Sequence, residues 1–539
     1  MVLGQTAVAN RTKTFQGAVC VLDSLQNNAT VLERLRGRQE NPGLQLQAMQ
    51  GFLHRTGITV GELDKLNIIH VTGTKGKGST CAFTERVLRS YGLRTGFFSS
   101  PHLVHVRERI RINGWPISKQ LFTKYFWEAY ERLEDTKDVH GGTMPFYFQF
   151  LTLLAFHVFM QERVDLAVIE VGIGGQYDCT NIIRKPWVCG ITSLGFDHCS
   201  LLGDTMEKIA WQKAGIFKPG VPAFTGRQQP GPMRVLQRRA EEIRCPLRIC
   251  PELDQYEAIV GPMSLGLMGE HQRLNASLAL QLSYSWLQRR EAEEKGDDLS
   301  LAQHTCRPGS QAVTFQPSTT MLEGLQETQW LGRNQTLSCG SVTYYLDGAH
   351  TTASMQACVC WFKQETLQRD QTQGPGVKIL LFNTTGERNS AALLRLLVPC
   401  RFDYALFCPN ITETPTISSV HRSMDVCVQN RLARCRENQS SWRSLNATET
   451  INHHHRHLLI SSVSHSLVFP CIASALQWIT QRNKPQPASA GSLGSVWVPP
   501  QSAELPDRLR EADHVSVLVT GSLYLVGGVL KHLEPSLDS

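Results

Sequence analysis

One short segment limits what this chain can fold into more than any other feature: three glycines and two lysines lie between an apolar run and an amphipathic run. Residues 67–71 have the pattern of a buried strand, and residues 79–91 have the spacing of a helix. Glycines between them let consecutive backbone N–H groups turn toward a phosphate, and the helix adds the positive end of its dipole. Gly78 separates Lys77 from Ser79, which departs from the standard phosphate loop. The predicted residues of this nucleotide triphosphate site are Gly76, Lys77, Gly78 and Ser79.

Short β-branched runs keep alternating with amphipathic runs along the chain, which is typical of parallel sheets covered on both faces. Before residue 200, further strands are predicted at residues 96–98, 164–171 and 188–194. A second αβ region follows, with strands predicted at residues 343–346, 378–382, 404–407 and 515–519. The sequence therefore predicts the α/β class.

Two segments depart from this alternation. Residues 289–316 are polar and rich in turn residues, so a linker is predicted between them and Trp330. The predicted domains span residues 1–325 and 326–539. Residues 436–505 carry Ser, Asn, His, Pro and Gly without periodicity, apart from one apolar helix, and are predicted to be a low-complexity surface insertion. The three consecutive histidines within it are assigned to a solvated loop in preference to a metal site.

Composition excludes several classes of protein. The chain has 539 residues, of which 41% are hydrophobic and 19% charged, so it can bury a large core and is not wholly disordered. Its longest apolar stretch falls short of the roughly 20 residues that a membrane span needs, so no transmembrane segment is predicted. The net charge is +7, and no Lys/Arg-dense arm with interleaved aromatic residues is present, so no nucleic-acid partner is predicted.

The 16 cysteines are scattered without the spacing of a zinc site. No secretory hydrophobic segment stands at the start of the sequence, so the cysteines are predicted to be reduced thiols in an intracellular compartment. Residues 1–14 hold Arg11 and Lys13 and no acidic residue, which fits either a frayed terminus or a very short organelle presequence. The predicted location is cytoplasmic, with a mitochondrial form as the alternative.

Three polar side chains follow predicted strands at their carboxyl ends: Ser100, Glu170 and His198. The carboxyl ends of parallel strands share one edge of a sheet, where ligands bind. Together with Ser79, these side chains are therefore expected to converge on one cation. A buried carboxylate requires a counter-charge, and Mg²⁺ prefers oxygen ligands and accompanies phosphates. Histidine is an unusual magnesium ligand, so a hydrogen-bonded structural role is the alternative for His198.

Lys213 lies in an apolar helical segment, residues 209–217. Burial lowers the pKa of a lysine and makes its amine reactive. A salt bridge and a covalent modification therefore both remain open for this residue.

Taken in order, these residues resemble the Mur-ligase superfamily of ATP-dependent amide-forming enzymes, and within it the animal folylpolyglutamate synthase family. The resemblance extends from Phe15 over nearly the whole chain. The motifs that carry it are Gly73-Thr-Lys-Gly-Lys-Gly-Ser79, Ser99-Ser-Pro-His-Leu103, Val106-Arg-Glu-Arg-Ile-Arg-Ile-Asn-Gly114, Val168-Ile-Glu-Val-Gly-Ile-Gly-Gly175, Asp178-Cys-Thr-Asn181, Asp197-His198, Lys213-Ala-Gly-Ile216, Gly269-Glu-His-Gln-Arg273, Gly332-Arg333 and Asp347-Gly-Ala-His350.

The resemblance implies a phosphate-loop ATPase domain followed by a smaller Rossmann-like C-terminal domain. It also implies a reaction: the γ-carboxylate of a folate or tetrahydrofolate attacks the γ-phosphate of ATP, and the amine of L-glutamate then displaces phosphate from the acyl phosphate. The product is a γ-glutamyl amide, whose added charge retains folate for one-carbon metabolism. The implied cofactors are ATP and one or two Mg²⁺ ions, with a monovalent cation such as K⁺ as a further ligand, and a monomer is implied.

Residue roles follow by position. Lys213 is implied to be carbamylated, which would make it an anionic ligand of a second magnesium. Residues 103–114 resemble a mobile loop over the folate site, with Arg107 and Arg109 as candidates for binding substrate carboxylates. The implied nucleotide contacts beyond the phosphate loop are Asn275, Arg333 and Asp347. The implied metal ligands are Ser100, Glu170 and His198, and the implied catalytic residues are Lys77, Lys213 and His350 (the last near the phosphate or the incoming glutamate).

Bacterial relatives often place an acidic residue in the Phe-x-Phe-x-x-Thr helix start, where this chain has Gln149. A single function is therefore expected rather than an additional dihydrofolate synthase activity. The alternatives are a related ligase that uses another carboxylate, such as dihydropteroate, and a non-enzymatic ATP-binding switch.

Overall fold

The computed structural model describes residues 13–25, 43–296, 307–386, 388–413, 422–453, 465–480 and 506–538. The chain divides into two compact units, Met1–Gln329 and Trp330–Ser539. Each unit is built around its own sheet.

The first unit contains a nine-stranded sheet in the order β4-β3-β2-β5-β1-β6-β7-β8-β9. Its described neighbours pair in parallel, except that β3 is antiparallel to both β2 and β4. The central strands β1, β5 and β6 are buried along their whole length, as parallel strands covered on both faces should be. The strands are β1 (Ile69–Thr72), β2 (Thr95–Phe98), β3 (Ile110–Ile112), β4 (Trp115–Pro116), β5 (Leu166–Glu170), β6 (Val188–Ile191), β7 (Ala223–Thr225), β8 (Leu247–Ile249) and β9 (Ser310–Gln311).

The helices of the first unit connect and cover these strands. The apolar helix Tyr147–Gln161 is buried over most of its length and packs with helix Lys119–Asp135 in one hydrophobic core. The described α-helices are Phe15–Ser24, Gly43–Arg55, Val60–Leu63, Lys77–Ser90, Lys119–Asp135, Tyr147–Gln161, Cys199–Leu202, Met206–Ala214, Pro230–Ile243, Leu253–Val260, Glu270–Lys295 and Thr319–Gln326.

The polar stretch predicted to begin at residue 289 starts as a helix rather than as a linker. Helix Glu270–Lys295 continues through it, with ion pairs Arg290–Glu294 and Glu291–Lys295 on its exposed side. Its composition is polar because the helix end is solvated, and residues spaced by four pair along it.

The second unit contains a six-stranded sheet in the order β10-β11-β15-β12-β13-β14, parallel except for the β10–β11 hairpin. Its strands are β10 (Gln335–Cys339), β11 (Val342–Leu346), β12 (Val377–Phe382), β13 (Tyr404–Phe407), β14 (His465–Val468) and β15 (Val515–Thr520). Its described α-helices are Thr352–Gln373, Ser390–Leu397, Arg422–His453, Ile472–Thr480, Asp507–Arg510 and Leu523–Leu533.

The prediction of a surface insertion at residues 436–505 is wrong for residues 436–453. Helix Arg422–His453 runs through that part and buries Cys435 and Trp442, seven residues apart on one face, in the core of the second unit. The Trp442 ring lies 6.3 Å from that of Phe402. With so few large apolar residues the helix has almost no periodic signal in the sequence. Residues 454–464 and 481–505, which include two of the three consecutive histidines, lie outside the described residues.

Two expectations concern the whole chain. Among the described helices, none combines the length and apolar character needed to cross a bilayer. Every cysteine whose side chain the structure describes is a free thiol.

Candidate functional site

The phosphate loop, residues 73–76, joins β1 to helix Lys77–Ser90 at the carboxyl edge of the first sheet. Gly76 has a left-handed backbone with φ of 88°, and a Cβ built there would lie 2.1 Å from Asn275 Oδ1. Only glycine fits such a position. No side chain caps the helix that follows, so its first backbone N–H groups can bind an anion. The loop therefore has the geometry that a phosphate requires.

Two lysines place their amines at this loop. Lys77 Nζ and Lys213 Nζ both donate to the carbonyl oxygen of Gly73, at 3.1 and 2.7 Å. Lys213 is 3% exposed, and burial, reinforced by the charge of Lys77, lowers its pKa well below the ordinary value. The described hydrogen bond of Lys213 goes to a carbonyl rather than to a carboxylate. Both alternatives that the sequence left open for Lys213, a salt bridge and a covalent modification, stay predictions.

Glu170 and Ser100 meet at the same edge. Glu170 ends β5, is 4% exposed, and its Oε2 accepts a hydrogen bond from the backbone N–H of Ser100 at 3.1 Å. Burial and the charge of Glu170 raise the pKa of the Cys81 thiol, while the charge of Lys77 lowers it, so both charges lie close to that thiol. A buried carboxylate beside a phosphate loop suits Mg²⁺, which keeps several water ligands.

His198 lies near the lysines of this edge. Its backbone is left-handed, with φ of 52°, and it precedes the short helix Cys199–Leu202. Burial lowers the pKa of His198, Asp197 raises it, and the charges of Lys77 and Lys213 lower it further. Within the described residues, no group of three or more His, Cys, Asp or Glu side chains is arranged to hold a metal. The roles of Glu170, Ser100 and His198 as ligands of a metal ion therefore stay predictions.

A buried chain of hydrogen bonds from His70 to Asp178, which the sequence did not reveal, supports the loop after Glu170. The hydroxyl of Thr180 donates to Asp178 Oδ1 at 2.6 Å, so His70 Nε2, at 2.9 Å from that hydroxyl, must be the donor to it. Burial and the charge of Lys218 lower the pKa of His70 to about 3, so the ring is neutral. Asp178 Oδ2 in turn accepts the backbone N–H of Ile173 at 2.9 Å.

Asn181 fixes the end of the helix that carries Lys213. Its Nδ2 donates to the carbonyl oxygens of Gln176 and Gly215, both at 3.0 Å, and Gln176 N donates to Gln212 O at 2.7 Å. The motif from residue 178 to residue 181 thus holds two functional segments at once. The available signal was its Asp-x-Thr spacing, typical of a capped turn, in which Asp178 caps the short helix Cys179–Ile182.

Asn275 supports the phosphate loop directly. It is 4% exposed, accepts a hydrogen bond from the Thr80 hydroxyl at 3.4 Å, and donates to Gln272 Oε1 at 2.8 Å. Gln272 Nε2 then reaches Ser79 Oγ at 3.4 Å. These contacts belong to the phosphate side of the site, and the adenine- or ribose-side role of Asn275 stays a prediction.

The segment predicted to be a mobile substrate loop is anchored at its start. The carboxylate of Glu108 accepts the backbone N–H groups of three consecutive residues, Leu103 to His105, at 2.6 to 2.9 Å. Arg109 Nε donates to His102 Nδ1 at 3.0 Å, and its guanidinium lies 5.5 Å from the centre of the Tyr147 ring. Burial, with the charge of Arg109, lowers the pKa of His102 to about 3 and keeps it a neutral acceptor.

The second unit brings its own predicted residues together at the end of β11. Asp347 Oδ2 accepts the backbone N–H of Asn334 at 3.0 Å, and Oδ1 accepts that of Ala349 at 2.9 Å. His350 Nδ1 lies 2.8 Å from the carbonyl oxygen of Gly348, so Nδ1 carries a proton. Arg333 Nη1 donates to Gly332 O at 3.2 Å.

Comparison with known proteins places this geometry in a family. The chain is 54% identical over 552 residues to the human protein named folylpolyglutamate synthase, mitochondrial. The aligned region covers 97% of this chain and 92% of that protein. The apo form of a folylpolyglutamate synthase from L. casei superposes with a TM-score of 0.60 at 21% identity, over 96% of this chain and 99% of its own.

A structure described as an FPGS–AMPPCP–folate complex superposes with a TM-score of 0.62 at 20% identity, over 97% of this chain and 100% of its own. No family model matches the sequence. At these identities the solved structures show a shared fold, and the α/β class expected from the sequence is confirmed. The identity to the human protein extends over nearly the full length of both chains, and this chain therefore belongs to the folylpolyglutamate synthase family.

Proposed function

We propose that this chain is an ATP-dependent ligase that adds L-glutamate to folates or tetrahydrofolates through γ-carboxyl amide bonds. The family assignment and the folate and ATP-analogue complex of a fold neighbour support this proposal. The structural observation that carries it is a phosphate loop flanked, at one sheet edge, by a buried carboxylate (Glu170) and a buried amine (Lys213).

Each of these groups has a task in such a reaction. The phosphate loop and Lys77 hold the triphosphate, because backbone N–H groups and an ammonium offset its charge. Ser100 and Glu170, with His198, would hold Mg²⁺. When bound, ATP supplies the phosphoryl group that activates the folate carboxylate as an acyl phosphate, and Mg²⁺ offsets the phosphate charge. Lys213, whose pKa burial lowers, is the group we assign to carbamylation and to a second magnesium.

The remaining predicted residues keep their proposed roles. Arg333 and Asp347 contact the nucleotide, and His350, whose Nδ1 donates to the carbonyl of Gly348, lies near the phosphate or the incoming glutamate. Arg109, held by His102 and Tyr147, is a candidate for binding substrate carboxylate. A monovalent cation such as K⁺, a monomeric state and a cytoplasmic form are part of the proposal, and the names of the animal relatives support a mitochondrial form.

Mass spectrometry tests the proposal. Tetrahydrofolate incubated with the protein, Mg-ATP and glutamate should gain successive glutamyl increments. Lys77→Ala should lower the rate by at least about 100-fold, as loss of a charge-stabilising donor does at other sites. Lys137→Ala, at an exposed lysine whose ion pair is with Glu134, should change it little.

Two outcomes would contradict the proposal: ATP binding without glutamate-dependent ADP release, which a nucleotide switch would give, and full activity of Lys77→Ala with its fold intact. Dihydropteroate supplied with glutamate and ATP should yield no dihydrofolate. In this chain Gln149 Oε1 accepts the backbone N–H of Phe146 at 3.0 Å and so caps a helix. Formation of dihydrofolate would replace the single function by a dual one.

A further inference from the structure

The segment that follows β6, residues 192–198, is joined to the phosphate loop by several hydrogen bonds. The backbone N–H groups of Thr74 and Lys75 both donate to Ser193 O, at 3.0 and 3.1 Å. The Thr74 hydroxyl donates to Gly195 O at 3.0 Å and accepts from Gly195 N at 3.1 Å. The segment and the phosphate loop are therefore expected to move together.

An ion pair completes the connection at its far end. Lys75 Nζ lies 3.1 Å from Asp197 Oδ2, and the two side chains are 28% and 18% exposed. The other carboxylate oxygen, Asp197 Oδ1, accepts the backbone N–H of His198 at 3.1 Å. One carboxylate thus links a lysine of the phosphate loop to the backbone of the histidine.

The backbone that this carboxylate holds is one that a residue other than glycine adopts at a cost. His198 has φ of 52° and ψ of 38°, in the left-handed region, where a Cβ crowds the following carbonyl. Its imidazole direction depends on that conformation, because the backbone dihedrals set the direction of the Cα–Cβ bond and restrict the allowed rotamers. A hydrogen bond to the N–H of His198 stabilises the conformation that directs the ring.

We propose that Lys75 and Asp197 form a positioning pair that holds His198 relative to the phosphate loop, so that a divalent cation bound with the nucleotide meets a preformed ligand set. This inference rests on the proposed function. The pair is half-buried, so its ions are less screened than those of a surface pair. Lys75 acts through Asp197 and is not assigned a contact with the nucleotide.

Binding of an ATP analogue, followed by isothermal titration calorimetry across a series of Mg²⁺ concentrations, tests the pair without requiring folate. Lys75→Met and Asp197→Asn should each raise the Mg²⁺ concentration for half-maximal binding by about tenfold, the usual size of such indirect effects at metal sites. The double variant should show about the same tenfold shift, because either change breaks the same connection. Lys75→Arg, which keeps the ion pair, should recover most of the Mg²⁺ response.

A matched control is the exposed pair Asp204–Lys208, whose atoms are 2.8 Å apart. Lys208→Met should leave the Mg²⁺ response and the thermal midpoint unchanged. If the effects of Lys75→Met and Asp197→Asn multiply to about 100-fold in the double variant, the two residues act separately and the inference is wrong. It is also wrong if the single variants respond to Mg²⁺ as the wild type does. A wild-type protein that binds Mg-ATP but glutamylates no folate would overturn the proposed function alone.

Discussion

At the scale of single residues, burial decides which titratable groups are neutral. His70, in β1, is completely buried beside Lys218, and Lys213 is buried beside Lys77, so both lose much of their tendency to bind a proton. Each is held by a defined partner, the hydroxyl of Thr180 for His70 and the carbonyl of Gly73 for Lys213. The neutral form of His70 is therefore the one around which its hydrogen bond is built.

The neutral form of His70 makes the protein sensitive to acid. Its pKa is about 3 in the folded chain against 6.5 when exposed, so below pH 6.5 the unfolded chain binds a proton that the folded chain does not. The stability that His70 contributes is complete above pH 6.5 and is lost as pH falls toward 3. His70→Gln keeps an N–H donor for Thr180 but does not titrate. The variant should be less stable than the wild type at pH 7.5. This difference in free energy of unfolding should shrink by about 2 kcal/mol at pH 5, because only the wild type loses the contribution of His70.

Urea denaturation of both proteins at the two pH values measures this change. The exposed histidine of helix Gly43–Arg55 offers the control, and His54→Gln should follow the wild-type pH dependence. Parallel curves for wild type and His70→Gln would show that His70 does not set the acid response.

At the scale of secondary-structure elements, the site depends on how the ends of strands and helices are held. Residues 178–181 join the loop after β5 to the end of helix Met206–Ala214, and helix Glu270–Lys295 presses Asn275 against the phosphate loop. Helix Arg422–His453 depends in the same way on two buried side chains. Close approach of the Asn275 side chain to the backbone of Gly76 shapes the phosphate-binding element.

Two glycines that flank helix Lys77–Ser90 allow this to be tested. Gly76 and Gly92 both have positive φ, of 88° and 77°, but a Cβ at Gly76 would collide with Asn275, whereas nothing lies within 4 Å of a Cβ at Gly92. Gly92→Ala should cost only about 1 kcal/mol and keep binding of an ATP analogue. Gly76→Ala should cost more in stability and lower binding of the analogue by at least about tenfold, since the loop must shift.

Calorimetric titration and thermal denaturation of the two variants separate the two effects. Equal binding losses in Gly76→Ala and Gly92→Ala would mean that backbone strain alone, and not the close approach to Asn275, governs the loop.

At the scale of the whole molecule, two sheets with separate cores carry the fold. The cysteines that the structure describes form no disulfide in either unit. Each core is closed by buried aliphatic and aromatic side chains. The described cysteines are free thiols, most of them buried, which raises the pKa of many of them and protects them from reaction.

Thiol titration without reductant checks this property. In denaturant all 16 cysteines should react. In the native protein the exposed residues Cys20, Cys199, Cys339 and Cys360 should react fast, together with at most Cys306 and Cys427, whose side chains are not described. Fewer than 16 reactive thiols in denaturant would reveal a disulfide and contradict the reduced state.

Much of the fold followed from local pattern. The strands predicted at residues 404–407 and 515–519 correspond to Tyr404–Phe407 and Val515–Thr520, because each is a continuous apolar run between turn signals. The helix at residues 422–453 and the polar end of helix Glu270–Lys295 could not be recognised, because the first has few apolar residues and the second is solvated. Periodicity detects an element only when many of its residues are buried on one face.

For the site, the sequence by itself determined which groups stand at the carboxyl ends of parallel strands, since strand direction alone brings those ends to one edge. Ser100, Glu170 and Lys77 could be assigned to that edge on this ground. The contacts around this edge could be seen only in the tertiary structure. They are the carbonyl of Gly73 that accepts from two lysines, the hydrogen bonds from His70 through Thr180 to Asp178, and the ion pair of Lys75 with Asp197 beside His198. Most of these hydrogen bonds join segments over a hundred residues apart. They depend on differences of a few tenths of an ångström, which are set only when the helices of the first unit pack on its sheet.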